Sequence, residues 1–597
     1  MTERKMSELE QDPEMQASGR KRELRVFITF LVFATLAFAH LPTRIFPHIF
    51  DKNAAPQFIT LAIVATFFSC WILLKPANFQ PDYKILSAIY ALIGVLVTSA
   101  FLSPSVINSF TGDTGRYTGA ISTFCLVVIA IYHSDFSLQS LQRLISLYLI
   151  VAVLQSLIGI GQRLKFIDMP GDHGMTGTLG NQDFYVAFLG ISAPLFLYKI
   201  LKSFGRERVL TFIGLALTVV AAVLTGPIQI YVDYIFTLLG FSIFLLRRRL
   251  LKLTLSLNAK TFLGTFAIII WAEFIFLFPF LGHFVPVLGN DTQVKIRANF
   301  WLAGMKQFFD HPLFGVGPDH YGNFYESYRT VSDVQNFPSI LSNDAHSASV
   351  QTFATLGIAG VLAIFCLITF LVRSILILWE RKPDMHLDIF FLSLFIFVYL
   401  TNSFISPMVL PSKYLLWAIC GWLIGQVYRV GEKETGFFSV RAPVTLMVIP
   451  TILIAAFFSI AQYHYAKNFE RYAKDQTKAV PYQFSAYIPC YMYFEAQFQM
   501  IKNSDISRIE QLALEQVAAN RQCVSPRIIL AQIYQGTGQT DKWGEQVKQL
   551  VRIAPTRSQV LTIAMEFAIK TQDQKLAESI QRQFGRLGLV YVPGKTG

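Results

Sequence analysis

Long apolar runs broken by short polar stretches occupy the first three quarters of the chain. Runs of about 18 or more residues, enough to cross a bilayer as helix, lie near 26–43, 57–74, 85–102, 118–133, 143–161, 184–201, 209–225, 228–246, 261–281, 348–371, 388–408, 413–429 and 443–462. They predict thirteen membrane-spanning helices. The pair flanking Gly226-Pro227 reads either as one broken helix or as a tight hairpin. The first run has no small-residue cleavage site, so it is expected to stay as an anchor. Residues 1–25 form a polar cytoplasmic tail in this reading, 26–462 a transmembrane domain with a large outer loop at 282–347, and 463–597 a domain outside the membrane.

Charge sets the orientation. With the N-terminus inside, the inner segments hold more than twice the Lys and Arg of the outer ones, in clusters such as Arg20-Lys21-Arg22 and Arg247-Arg248-Arg249. The outer positives are few: Arg44, Lys52, Arg116, Arg163, Lys165, Lys295, Arg297, Lys306, Arg329 and Lys413. The positive-inside rule therefore places the N-terminus in the cytoplasm and residues 463–597 outside. Composition agrees: the chain is 53% hydrophobic and only 15% charged, against about 25% in soluble domains. That excludes disordered, collagenous and disulfide-stapled classes. The net charge of +13 is no nucleic-acid signal, since 463–597 contributes 17 − 11 = +6 and most of the rest lies in inner loops.

Residues 463–597 lack a long apolar run and are helical in pattern. Helices expected to begin near Asp505, Asp541 and Asp573 are spaced by 36 and 32 residues, close to the ~34 of a tetratricopeptide repeat, which this segment resembles. An irregular helical bundle is the alternative. Such repeats bind partners rather than catalyse. Cys70, Cys125, Cys366 and Cys420 fall in apolar runs and read as packing residues. Cys490 and Cys523 lie outside in this topology, about one repeat apart, where a disulfide can form. No Cys/His spacing suggests a metal site.

The outer loop is dense in special residues. It holds Arg297-Ala298-Asn299-Phe300-Trp301, then His311-Pro312-Leu313-Phe314-Gly315-Val316-Gly317, then Ala345-His346-Ser347 before a span with Leu356-Gly357-Ile358-Ala359-Gly360. Two earlier outer stretches read Gly115-Arg116-Tyr117-Thr118-Gly119 and Thr176-Gly177-Thr178-Leu179-Gly180-Asn181. In this order, over about residues 100–430, they resemble the O-antigen ligase/polymerase family of membrane glycosyltransferases. The resemblance implies an all-α, GT-C-like helix bundle in the bacterial cytoplasmic membrane. It implies transfer of a glycan from an undecaprenyl-diphosphate donor to a hydroxyl of a glycan, lipid or protein acceptor, on the outer face, without cofactor or metal. Membrane lipids and a protein held by the C-terminal repeats are further expected partners; nucleic acid is not.

Roles follow from that chemistry. A leaving diphosphate needs cations, and the planar fork of Arg matches its oxygens. Arg297 is the first candidate and Arg116 the second; Arg329 and Asn181 are further substrate-binding candidates. An interfacial Arg pairing with lipid headgroups is the competing reading for Arg297, and snorkelling competes at Arg163. His346 suits the base that takes the acceptor proton; its alternative is a cap on the next helix through Ser347. Gly315 and Gly317 read as turn residues, and His311 and His320 as loop punctuation. Asp233 and Glu273 sit within spans, where acids are costly. They are candidates to orient Arg297 or bind sugar hydroxyls, or, for Asp233, to bond Tyr231 or Tyr234. The chain departs from the family at Thr225-Gly226-Pro227-Ile228-Gln229, where a Ser-Arg-Gly-like motif would bring another Arg to the diphosphate. A lipid-linked glycan transporter and a membrane-anchored scaffold are the alternatives to an enzyme.

Overall fold

The computed structural model describes residues 54–74, 83–113, 116–167, 174–227, 229–246, 255–283, 291–429 and 506–591, with a few isolated positions near 28 and 444–456. The expected spans at 26–43 and 443–462 lie largely outside these, as do Gly115 and Cys490. The described residues form helices and no strand. Among them nine helical stretches are long and apolar enough to cross a membrane. Ala120–His133 is apolar but shorter, and Leu410–Arg429 is interrupted by Lys413 and Gln426.

Two expected spans have a distinctive form. At Gly226 the chain turns in the left-handed region, φ 100°, and separates Gly205–Thr225 from Gln229–Leu246, so this is a turn between two helices. The run expected at 184–201 is broken into Gln182–Gly190 and Ala193–Lys202, with Pro194 in the first turn of the second piece. Beside the break, the carboxylate of buried Asp233 occupies the place a Cβ on residue 190 would need, so only glycine fits. Asp233 accepts a hydrogen bond from the Asn402 amide, not from Tyr231 or Tyr234 as expected. The reason is geometric: Asn402 arrives from the neighbouring helix His386–Ser403, which packs along Gln229–Leu246.

The 291–347 loop is built on helix Thr292–Asp310, capped by the Asp291 carboxylate accepting from Val294 N–H at 2.9 Å. This helix buries Phe300, Trp301 and Ala303 against Tyr321, Tyr325 and Val350. Short helices Tyr321–Tyr328 and Val331–Asn336 follow. The long helix Ala348–Arg381 is kinked at Gly357, φ 61° and ψ −161°. A kink in a spanning helix leaves backbone groups unpaired, which is costly away from water. Here the 312–317 turn pairs them. Val316 and Gly317 N–H donate to the carbonyls of Ala354 and Thr355 at 2.9 and 3.1 Å. Ile358 and Ala359 N–H donate to the carbonyls of Pro312 and Leu313 at 2.8 and 3.1 Å. Ser99 Oγ, from helix Tyr83–Leu102, donates to the Phe314 and Thr355 carbonyls. The approach needs two glycines: a Cβ on Gly315 would strike the backbone of Thr355 and Leu356, and one on Gly357 would lie 2.5 Å from Leu313 C.

The C-terminal helices Ile506–Ala519, Ser525–Gly536, Thr540–Ile553, Ser558–Thr571 and Gln574–Leu587 pack each on the next. Alternate helices begin at 506, 540 and 574, 34 residues apart. They rest on the 291–347 loop. Val334 belongs to their core. Ser327 Oγ donates to the Ile553 carbonyl at 2.6 Å, Thr556 Oγ1 to the Glu326 carbonyl at 2.9 Å, and Arg557 pairs with Glu326 at 3.2 Å. Cys523 is buried and disulfide-bonded; the expected partner, Cys490, lies outside the described residues.

Gly357→Ala therefore combines a left-handed backbone with a clash against Leu313, and is expected to destabilise the protein by about 2 kcal/mol or more. Gly94→Ala, with nothing within 4 Å of its added Cβ, should be neutral. Unfolding midpoints of the two variants in detergent check this; equal midpoints would refute the role given to the kink.

Candidate functional site

The site begins with Asp319, buried just after the Gly315-Val316-Gly317 turn. Its carboxylate accepts from Asp113 N–H at 2.6 Å, from Thr118 N–H at 3.2 Å and from Thr118 Oγ1 at 2.7 Å. Gly112 lies so close that an added Cβ would meet Asp319 Oδ2 at 2.6 Å. His320, fully buried, donates from Nε2 to the Ser105 carbonyl at 3.0 Å. Burial holds its pKa below the ordinary imidazole value, favouring the neutral ring. The 315–320 turn thus fixes the segment that carries Arg116. Arg116 then reaches the far end of the large loop: Nε donates to Asn343 Oδ1 at 2.8 Å and Nη1 pairs with Asp344 Oδ2 at 3.2 Å.

Asp344 also shapes His346. Its Oδ1 accepts from His346 N–H at 2.6 Å, and His346 adopts a left-handed backbone, φ 53°. Such a conformation costs energy for a residue with a Cβ and is held only where the surroundings enforce it. The His346 ring lies against Phe300, centroids 5.3 Å apart, and keeps a partly exposed edge. It does not cap the next helix, and Ser347 makes no side-chain cap either, bonding Ser349 instead. The His346 pKa is pushed down to about 4, first by burial, then by Arg116 and Arg297, with Asp344 partly opposing. Near neutral pH the ring is a free base.

Arg297 completes the cluster from helix Thr292–Asp310. Nη2 pairs with Asp183 Oδ2 at 3.3 Å and Nε donates to the Ile405 carbonyl at 3.2 Å. Asp183 stands in the first turn of Gln182–Gly190. Asn181 caps that helix, its Oδ1 accepting from Asp183 N–H at 2.7 Å. The Thr176–Asn181 motif and the Arg-x-x-x-Trp motif therefore meet at the Asp183–Arg297 pair. Gln229, the last residue of the 225–229 stretch, donates from its side-chain amide to the Asp183 carbonyl at 2.7 Å.

Arg116, Arg297 and His346 come together; the other expected site residues do not join them. Arg329 is buried and fully occupied within the loop. It bonds Asp333 at 2.7 Å and the Phe337 and Pro338 carbonyls, with its guanidinium over Tyr325. That is a loop brace. Asn181 acts as a cap with an exposed side chain. Glu273 is exposed on helix Leu257–Leu277, with no contact to Arg297 or His346. Sequence reasoning missed Asp183, Asp319, Asn343 and Asp344. Three of the four flank motif residues directly, Asp183 two places after Asn181, and Asn343-Asp344 just before Ala345-His346. Acids beside a conserved-looking cation motif were the available signal. Lys413 was read only as an outer charge; it lies within electrostatic reach of Asp344, Asp319 and Arg116. Among the described residues no group of three or more His, Cys, Asp or Glu gathers as a metal site.

No curated protein matches the chain. A family model described as O-antigen ligase matches residues 184–365. That span starts in the helix bearing Asp183, crosses Arg297 and His346, and ends in the kinked helix, so the arginine-flanked histidine falls inside it. Residues 184–365 are thus similar to the O-antigen ligase family, in a chain with nine described helices long and apolar enough to cross a membrane.

Proposed function

We propose a ligase- or polymerase-type glycosyltransferase of polysaccharide assembly, a reading supported by the O-antigen ligase family match over residues 184–365. We propose that it transfers a glycan from an undecaprenyl-diphosphate donor to an acceptor hydroxyl at the outer face of a bacterial cytoplasmic membrane, without a metal. The observation that carries this reading is His346, kept neutral by burial and the charges of Arg116 and Arg297, and tied to Arg116 through Asp344, which pairs with that guanidinium and accepts from the His346 N–H. A neutral imidazole can take the acceptor hydroxyl's proton as that oxygen bonds the sugar's anomeric carbon. The bond from that carbon to the diphosphate oxygen breaks, and the diphosphate leaves with the electron pair. Arg116 and Arg297 stabilise the negative charge that develops there. Their carboxylate partners fix each guanidinium before substrate arrives. Nη2 of Arg116 has no protein partner among the described residues and is available to a phosphate oxygen.

A transporter of the same lipid-linked glycan has one observation in its favour, the broken helix at Gly190–Ala193 beside buried Asp233. It does not account for a histidine kept neutral in the outer loop.

His346→Ala and Arg297→Ala are each expected to lower transfer from a lipid-diphosphate glycan, in liposomes, by about 100-fold or more with expression unchanged. Undiminished transfer by both would remove the site; movement of the donor across the bilayer by a protein that never transfers it would favour the transporter. The pH profile supplies a second check. His346 is protonated only as pH approaches about 4, so the acid limb of kcat/KM should lie well below the ~6.5 of a free imidazole. Arg116→Gln removes a neighbouring positive charge, eases protonation and should move the limb upward. A wild-type limb near ~6.5 that Arg116→Gln leaves in place would contradict the assignment of His346 as base.

A further inference from the structure

The 405–413 segment joins His386–Ser403 to Leu410–Arg429 and meets the site directly, since the Ile405 carbonyl accepts from Arg297. Eight residues on is Lys413, half-buried, in the first turn of the second helix. Its backbone N–H donates to the Val409 carbonyl, but its ammonium makes no hydrogen bond or ion pair among the described residues, although it lies within electrostatic reach of Asp344, Asp319 and Arg116. Both carboxylates are already engaged. Asp344 holds Arg116 and His346 N–H, and Asp319 holds the 113–118 loop through three bonds. The same segment contains two fully buried hydroxyls without a partner, Ser406 Oγ and Ser412 Oγ. Buried hydroxyls are ordinarily satisfied, and a cation withdrawn from water without a contacting counter-ion is costly. One short stretch beside Arg297 therefore holds an uncompensated ammonium and two orphaned hydroxyl groups.

The chain also lacks a cation where its family resemblance would put one, at 225–229, and Gln229 is spent on the Asp183 carbonyl. We propose that Lys413 binds the diphosphate of the lipid donor, supplying from helix Leu410–Arg429 the positive charge that 225–229 does not. This rests on the glycosyltransferase reading above. Lys413 contacts the leaving group, while Arg116 and Arg297 flank the histidine. A lysine is suited to it as a point charge on a flexible stem, able to follow the phosphates as the bond breaks.

The test uses the full-length protein in phosphatidylglycerol nanodiscs, with undecaprenyl diphosphate as the probe. Lys413→Gln should weaken probe binding about tenfold or more, the scale of one charged contact, and Lys413→Arg should restore most of it. Undiminished binding by Lys413→Gln would overturn the proposal. If that variant fails to fold, the wild type serves: the probe should protect Lys413, but not exposed Lys306, from reductive methylation read by mass spectrometry. Equal labelling of Lys413 with and without bound probe would overturn it, as would full protection by phosphatidylglycerol alone, which would assign the site to a lipid headgroup. Probe binding that needs Lys413, in a protein that transfers no glycan, would sink the glycosyltransferase reading and keep the anion site; no probe binding by the wild type would sink both.

Discussion

A helix within a membrane cannot give up backbone hydrogen bonds unless protein supplies replacements, and that constraint organises this molecule. Ala348–Arg381 breaks its own ladder at Gly357, and the 312–317 turn takes up the released groups through four backbone bonds. The turn is thereby fixed to the bundle, and Asp319 and His320 follow it immediately. Asp319 then holds the 112–118 loop, and that loop carries Arg116. His346 stands two residues before the first turn of the same kinked helix. A single backbone solution thus sets the relative positions of a cation and a base that are 230 residues apart in sequence.

Within that frame, Asp344 couples the two groups chemically. One oxygen pairs with Arg116 and the other accepts from the His346 backbone. The carboxylate would on its own favour a protonated ring, yet burial and two guanidinium groups outweigh it. The balance leaves the ring uncharged near neutral pH, with a vacant lone pair but a basicity below that of a free imidazole. Asp183 does for Arg297 what Asp344 does for Arg116.

Most of the spans were legible in the sequence because apolar length is a direct physical signal. Eleven of the thirteen expected runs fall on described helices. What periodicity could not show is where a helix breaks. The interruption at Gly190–Ala193 lies against Asp233 from another helix, and the kink at Gly357 is paired by the 312–317 turn, so the partners of both are remote in sequence. The turn reading of Gly315 and Gly317 was incomplete for the same reason, since Gly315 also admits the Thr355–Leu356 backbone and Gly317 the side chains of Ser103, Ser109 and His320. At the site, Arg297, Arg116 and His346 were visible as residue types in motifs, but their partners were not. Residue type marked Arg329 as a phosphate ligand equally well, and only its three bonds inside the loop identify it as a brace.

That brace links the site to the C-terminal helices. Arg329 and Tyr325 converge on Asp333, and Tyr325 lies edge-on to Phe300, whose other side faces His346. The residues next to this set, Glu326, Ser327 and Val334, are those gripped by Ile553, Thr556, Arg557 and the C-terminal core. The ring supporting the histidine is therefore backed by helices more than 150 residues further along the chain. A long loop would ordinarily be mobile; here Tyr321–Tyr328 packs on Thr292–Asp310, Ala348–Arg381 and the C-terminal helix Thr540–Ile553, and Val331–Asn336 packs on Gln574–Leu587. Rigidity is what a base in a left-handed backbone conformation needs, because such a conformation persists only where its surroundings over-determine it. On this argument the C-terminal helices belong to the architecture of the site, whatever else their exposed faces bind.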